Sequence, residues 1–296
     1  MTLFTDLSDA IADQVESAAP RVAALQMRHG RHLTATLWRD DLAIASEQTL
    51  PRRDTFPVTL PGGVETEATV LGRDDGTNIA LLRLAISTGL ETPEAGTART
   101  GALALAIGAR KDGTATACLG VVNSVGPAWH SQHGGRIDAY IKVDLGMAMS
   151  EEGGPVLDGR DGTRIVGIST FGPRGQVLVI PHATIERVIP GLSSDGHVAR
   201  GWLGAGLQPV AVPDLADETS GRGFMVMSTS SGGPAEAAGL VPGDIVIAIA
   251  GQPVGRISRL ASLLGPESIG QPLDLRVLRG GVVQTLSVTV AERPAE

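Results

Sequence analysis

The sequence predicts a mainly β chain in two units, an all-β barrel or sandwich over residues 1–195 followed by a small α+β module over 196–296. Three observations carry that expectation. Short runs rich in Val, Ile, Leu and Ala recur with turn residues between them and no helical pattern interposed. Punctuation is dense, with 39 Gly and 18 Pro among 296 residues, which suits many short elements joined by turns. Aromatics are scarce, four Phe, three Trp and one Tyr, so the core is aliphatic and fits short strands better than large helix interfaces.

The elements follow in order. Residues 5–19 read as an amphipathic helix, with Leu7, Ile11 and Val15 four apart and Pro20 ending the pattern. The β-like runs are Val22–Met27, Leu33–Trp38, Leu42–Ser46, Ala68–Leu71, Ile79–Leu84, Leu103–Ile107 and Thr116–Val122. Ile137–Val143, Ile165–Thr170 and Val177–Ile180 complete the first unit's strands. A short helix, Ala183–Ile189, is expected to stop at Pro190, and residues 191–200 read as a polar linker. The style then changes. Strand-like Phe224–Met227 leads to a one-turn helix at 234–239, with Pro near its start and Gly past its end. Residues 241–249 run from a turn into a buried strand, and Ile257, Leu260 and Leu264 mark a helix face that Gly265 closes. Leu273–Val277 and Val282–Val290 form a hairpin around 279–281.

Bulk properties exclude some functions. A net charge of −8 argues against a nucleic-acid surface, which needs a basic face. One cysteine, Cys118, forbids an intrachain disulfide, and its apolar setting in 115–119 reads as an inert thiol. No apolar stretch reaches the length of a membrane span. The N-terminus has neither a basic start nor a long apolar core, so a cytoplasmic location is expected as written, or a periplasmic one if a leader has been removed.

Three stretches resemble the HtrA/Deg family, a trypsin-like serine protease domain with a PDZ domain behind it. The first is residues 104–108 with Gly120-Val-Val-Asn123, similar to two strands of that family's barrels. The second is Glu152-Gly-Gly-Pro-Val156 with 165–170 and 179–181, similar to the nucleophile loop and the strands behind it. The third is Arg200-Gly-Trp-Leu-Gly204 with 237–246, similar to the opening and middle of the PDZ domain. The resemblance implies a trypsin-like double β-barrel and then a PDZ domain.

It also implies where a triad would lie. Such a site needs a nucleophilic Ser, a His that takes its proton and an Asp that orients the His. Carried onto this sequence, the His position is Gln48, the Asp position Asn78 and the Ser position Glu152, spaced 30 and 74 residues apart. A Gln amide is not basic near neutral pH, Asn cannot stabilise an imidazolium, and a Glu carboxylate is a poor nucleophile. Its charge would also oppose a developing oxyanion at a cost of several kcal/mol. The oxyanion-loop position two before Glu152 is Ser150 where the family has Gly; losing one such donor costs roughly a hundredfold or more in rate. The expectation is therefore of no enzyme: a non-catalytic pseudoprotease, chaperone-like or regulatory toward an active relative, that binds peptides or unfolded segments. The alternative is an HtrA-type serine endopeptidase with a rearranged or residual site.

Other candidates weigh less. Ser150 as a displaced nucleophile lacks a base at the expected position, and His29 and His32 lie on an earlier strand. His130 and His133 sit in a Gly-rich loop with no further ligand evident, and Gln48, Asn78 and Glu152 offer one carboxylate among them, so no metal or other cofactor is expected. Asp74-Asp75 and Glu151-Glu152 read as surface acid pairs. The PDZ resemblance implies that Gly201, Trp202, Leu203 and Gly204 offer backbone N–H groups to a peptide carboxylate. Ala205, Leu207, Leu260 and Leu264 would line a side-chain pocket with Leu203. Partners expected are peptide C-termini or unfolded segments, and a homo-oligomer, a trimer by family resemblance, with apolar Leu3 and Phe4 available for contact.

Overall fold

The computed structural model describes residues 3–159, 161–212, 221–254 and 263–294, without the side chains of 161–163. The chain divides into a unit of residues 1–129 with 136–197 and a unit of 198–296 with 130–135.

Runs of small aliphatic residues buried on both faces close on themselves more readily than they form an open sheet with exposed edges. The first unit does this twice. Strands β1 (Val22–Gln26), β2 (His32–Arg39), β3 (Leu42–Ser46), β4 (Thr55–Thr59), β5 (Glu65–Asp74) and β6 (Ile79–Leu84) close in the order β1-β2-β3-β6-β5-β4. The closing pair is Leu25 with Val58, and β3 is buried along its whole length. Phe56, Leu25, Leu37 and Leu82 fill this barrel. β4 is absent from the sequence expectation because Pro57 interrupts its pattern; Pro57 lies on the exposed face of the strand.

Next come β7 (Leu103–Ala109) and β8 (Ala115–Gly126), the two-residue strands β9 (Trp129–His130) and β10 (Arg136–Ile137), and then β11 (Tyr140–Asp144). β12 (Pro155–Asp158), β13 (Asp161–Phe171) and β14 (Val177–Pro181) follow. The second barrel closes as β11-β14-β13-β12-β7-β8 around Ala106, Val143, Val156 and Val179. This is the mainly β double barrel that the sequence predicted.

Helix α1 (Leu3–Ala18) half-buries Ile11, Gln14 and Val15 and leaves Leu3 and Phe4 in solvent. Helix α2 (His182–Ser194) corrects the expectation of a stop at Pro190: it continues one turn further. Pro190 removes one backbone bond, at a cost of about 3 kcal/mol. Ile189 and Leu192 sit on the same buried face as Ile185 and Val188, and their burial, about 1.5–3 kcal/mol each, outweighs it. The end of α2 also explains Gly72 at the bulge in β5, where an added Cβ would lie 2.6 Å from the Leu192 carbonyl oxygen.

In the second unit, β15 (Gly201–Trp202) pairs with β22 (Ala291–Glu292). β16 (Ala205–Ala211), β17 (Arg222–Thr229), β18 (Ile245–Ile249), β20 (Pro272–Arg279) and β21 (Val282–Thr289) form a sheet in that order, with β19 (Gln252–Pro253) against β18. A one-turn helix, Pro234–Ala237, covers part of it. The β20–β21 hairpin turns on Gly280 and Gly281, both at positive φ, as a two-residue primed turn demands. Asp244, 1% exposed, is clamped by Arg279 through two bonds of 2.7 Å. The helix expected around Ile257 and Leu260 lies outside the described residues.

Candidate functional site

Three short turns carry the three positions singled out in the sequence. Gln48 sits in the 3₁₀ turn Glu47–Thr49 that leaves β3. Asn78 precedes β6 at φ 58°, a left-handed backbone that Asn tolerates better than most residues. Glu152 follows the 3₁₀ turn Met149–Glu151 and leads into β12. The double barrel brings all three together, the first two from one barrel and Glu152 from the other.

They form one hydrogen-bonded cluster. Glu152 is 0% exposed. Its Oε1 accepts from Gln48 Nε2 at 2.5 Å, from the Ser46 and Thr170 hydroxyls at 2.8 Å each, and from the Phe171 N–H at 3.2 Å. Its Oε2 is buried with no hydrogen-bond partner among the described residues. Asn78 Nδ2 donates to Thr170 Oγ1 at 2.7 Å and Ser46 Oγ at 2.9 Å, while its Oδ1 accepts the Gln48 N–H at 2.7 Å. The proton directions are thereby set. Each hydroxyl accepts from Asn78 and donates to Glu152 at 2.8 Å, for Ser46 a shorter path than the 3.2 Å to Asn78 Oδ1, so the Glu152 carboxyl oxygen is the terminal acceptor of the network. Burying a carboxylate without a cation is costly, and four donors on one oxygen offset that cost.

Ser46 and Thr170 are the residues that the sequence reading missed. Ser46 ends the strand that enters the Gln48 turn, which was the available signal; Thr170, 18 residues from Glu152, had no local signal. The reading of surface acid pairs also needs correction: Glu152 and Asp74 are buried, Asp74 accepting from the N–H and hydroxyl of Thr77 within its own turn. Glu151 is half-buried, bonded to Thr116 Oγ1 and the Ala148 N–H. Burial first, and then the Glu151 carboxylate, pushes the Cys118 thiol up to about 11, which keeps it protonated at neutral pH.

Chemically, these side chains cannot run Ser-to-His proton transfer. Glu152 has no hydroxyl, Gln48 donates to it, and Asn78 is neutral. Ser150 lies in the 3₁₀ turn, its carbonyl accepting the Thr34 hydroxyl at 2.8 Å. His29, at φ 59° in the β1–β2 turn, lines a cleft of about 650 Å³ that Gln48 and Met149 also line. A histidine thus lines the same cleft as Gln48 and Met149, which the sequence did not indicate. No group of three or more His, Cys, Asp or Glu with metal-holding geometry occurs among the described residues.

In the second unit, the residues expected to bind peptide gather at one end of the sheet. Gly204, at φ 71°, accepts the Ser230 N–H on its carbonyl, and an added Cβ would lie 3.2 Å from both Trp202 and Pro234. Gly201 donates to Leu264 O at 2.9 Å. Leu203 is buried, with Ala205, Leu207 and Leu264 packed on the same apolar cluster. Among the described residues β16 pairs only with β17 and is an edge of its sheet. Leu260 lies outside the described residues.

Comparison with known proteins agrees with this architecture. A family model described as a trypsin-like peptidase domain matches residues 33–168, and one described as a PDZ domain matches 201–290. A probable periplasmic serine endoprotease, DegP-like, of Rhizobium meliloti (strain 1021) is 28% identical over 271 residues, covering 87% of this chain and 52% of the relative. A protein of the same name from Chlamydia pneumoniae is 32% identical over 253 residues, 81% of this chain and 50% of its own length. The chain thus spans about half the length of the curated relatives it matches. The solved structure of the HtrA-type protease AlgW with decapeptide superposes with a TM-score of 0.75 at 25% identity, covering 96% of this chain and 99% of that one. The serine endoprotease from Yersinia pestis, at 21% identity, 96% and 98% coverage and a TM-score of 0.74, shares the fold. These relatives are named serine endoproteases, which overturns the expectation that the chain is no enzyme. Their periplasmic names likewise give the cytoplasmic expectation no support. No helix among the described residues is long and apolar enough to cross a membrane.

Proposed function

Because the chain has the HtrA/DegP arrangement of a trypsin-like domain followed by a PDZ domain, we propose that it captures peptide C-termini or unfolded protein segments through the PDZ unit, in protein quality control. The observation that carries this reading is the open edge of β16 beside the Gly201–Gly204 turn and the cluster of Leu203, Ala205, Leu207 and Leu264. An edge strand adds a peptide strand, the turn's N–H groups other than that of Gly201, which is held by Leu264 O, meet a carboxylate, and the apolar cluster receives the last side chain. The similar AlgW structure is one with a decapeptide, which supports the same class of ligand. Leu3 and Phe4, 80% and 82% exposed, support self-association through α1. Titration of peptides with free and amidated C-termini tests the capture.

A second reading, peptide hydrolysis by a rearranged site, is favoured by the relatives' names and by the cleft that His29 shares with Gln48 and Met149. Its test is casein cleavage together with fluorophosphonate labelling. Labelling that disappears in Ser150→Ala or His29→Ala supports a rearranged site; labelling unchanged in both variants rejects these two residues.

A further inference from the structure

We infer that the cleft beside Gln48 is a second binding site, distinct from the PDZ unit, that takes an acidic segment of a polypeptide. The cleft, about 650 Å³, is lined by Arg28, Arg31, Arg52 and Arg53, with His29, Gln48, Thr49 and Pro51, and among the described residues no carboxylate lines it. That volume lies within the ~300–1,000 Å³ ordinary for ligand sites. The chain as a whole carries −8, so four guanidinium groups around one cleft run against its overall charge.

The four differ in how they are held. Arg52 is bonded to Glu47 at 3.1 Å, and that carboxylate is shared with Arg73. Arg53 lies over the Phe56 ring at 4.7 Å, with one Nη against Met27 Sδ at 3.5 Å, which fixes its direction. Arg28 and Arg31, in the exposed β1–β2 turn, have no ion pair among the described residues. Arg28, Arg31 and Arg53 have no ion pair among the described residues, so an anion entering between them supplies the counter-charge that Arg52 already has in Glu47.

The apolar part of the lining decides the class of anion. Met27, Leu33 and Met149 lie among the arginines, and Met149 is 62% exposed. Flexible thioethers suit varied apolar side chains. A nucleic acid would look for flat aromatic rings to stack on, and the lining has no Phe, Tyr or Trp. A segment that mixes Asp or Glu with Leu or Met satisfies both halves of the cleft.

The experiment uses the full chain and C-terminally amidated, fluorescent ten-residue peptides, so that capture of a free carboxylate by the PDZ unit does not enter. A Glu/Leu peptide is compared with its Lys/Leu counterpart, with a single-stranded oligonucleotide and with inorganic polyphosphate. The expected result is saturable binding of the Glu/Leu peptide alone, weakening as salt rises. Arg28→Ser with Arg31→Ser should weaken it at least tenfold with an unchanged circular dichroism spectrum, since both side chains are exposed. Equal affinity for the Glu and Lys peptides, or undiminished binding by the double variant, overturns the proposal. Tighter binding of the oligonucleotide or polyphosphate overturns it too, since the site would then be a general polyanion site.

Discussion

Gln48 and Glu152, 104 residues apart in sequence, meet at a 2.5 Å bond from the Gln48 amide to the Glu152 carboxylate, and this bond joins one barrel to the other. The same oxygen takes protons from Ser46 and Thr170, again one from each barrel. Side chains that the family resemblance singled out therefore form a cross-barrel tie.

Glu152→Ala should lower the stability of the first unit by about 2 kcal/mol or more, because it leaves the buried Ser46 and Thr170 hydroxyls without their shared acceptor. Ser46→Ala removes one donor and leaves three, so its effect should be the smaller. Denaturant unfolding of both variants checks the order; a neutral Glu152→Ala would mean that the cluster contributes nothing net.

Installing Gln48→His, Asn78→Asp and Glu152→Ser together should raise casein cleavage above that of the natural chain, and adding Ser150→Gly should raise it further. Ser150 sits in a 3₁₀ turn, and Gly lets that turn leave this form to aim its N–H groups at an oxyanion. Side-by-side rates decide it. No gain from Ser150→Gly would show that this position does not limit the rate.

The Asp244 carboxyl is held below the ordinary carboxylate range, first by its hydrogen bonds from Arg279. A depressed folded value means that the contribution is fully present above the unfolded value, about 3.9, and is lost as pH falls through the folded one. The segment 197–296, expected to fold alone, should thus be more stable than Asp244→Asn at pH 7, with the gap closing toward pH 2. Thermal unfolding across that range measures it. A gap that did not narrow would assign the effect to packing instead of charge.

Amidating a peptide's C-terminus should reduce PDZ binding at least tenfold, about 1.4 kcal/mol, because the charge facing the 201–204 turn is lost. Leu203→Glu should weaken binding for every last residue, since Leu203 is buried beneath that turn's cluster. Fluorescence titration of paired free-acid and amidated peptides is the measurement. Equal affinities would leave the groove without a carboxylate clamp.

The sequence by itself determined the strand-rich class, the change of style after the first unit and the Gly280-Gly281 hairpin, and it singled out Gln48, Asn78 and Glu152. Those features are local: a period of two along a strand, a positive-φ turn or a Gly-Gly-Pro corner is written in neighbouring residues. The tertiary structure alone decided which distant groups meet. Ser46 and Thr170 became partners of Glu152 because two barrel edges converge. Glu152 and Asp74 became buried acids where their charge had suggested surface. Helix α2 passed through Pro190 because the far side of that proline, Leu192, found a core to enter. His29 and four arginines came to one cleft because separate turns end there. Closing a barrel sets these distances through pairings of residues far apart in the chain, and no short window of sequence contains them.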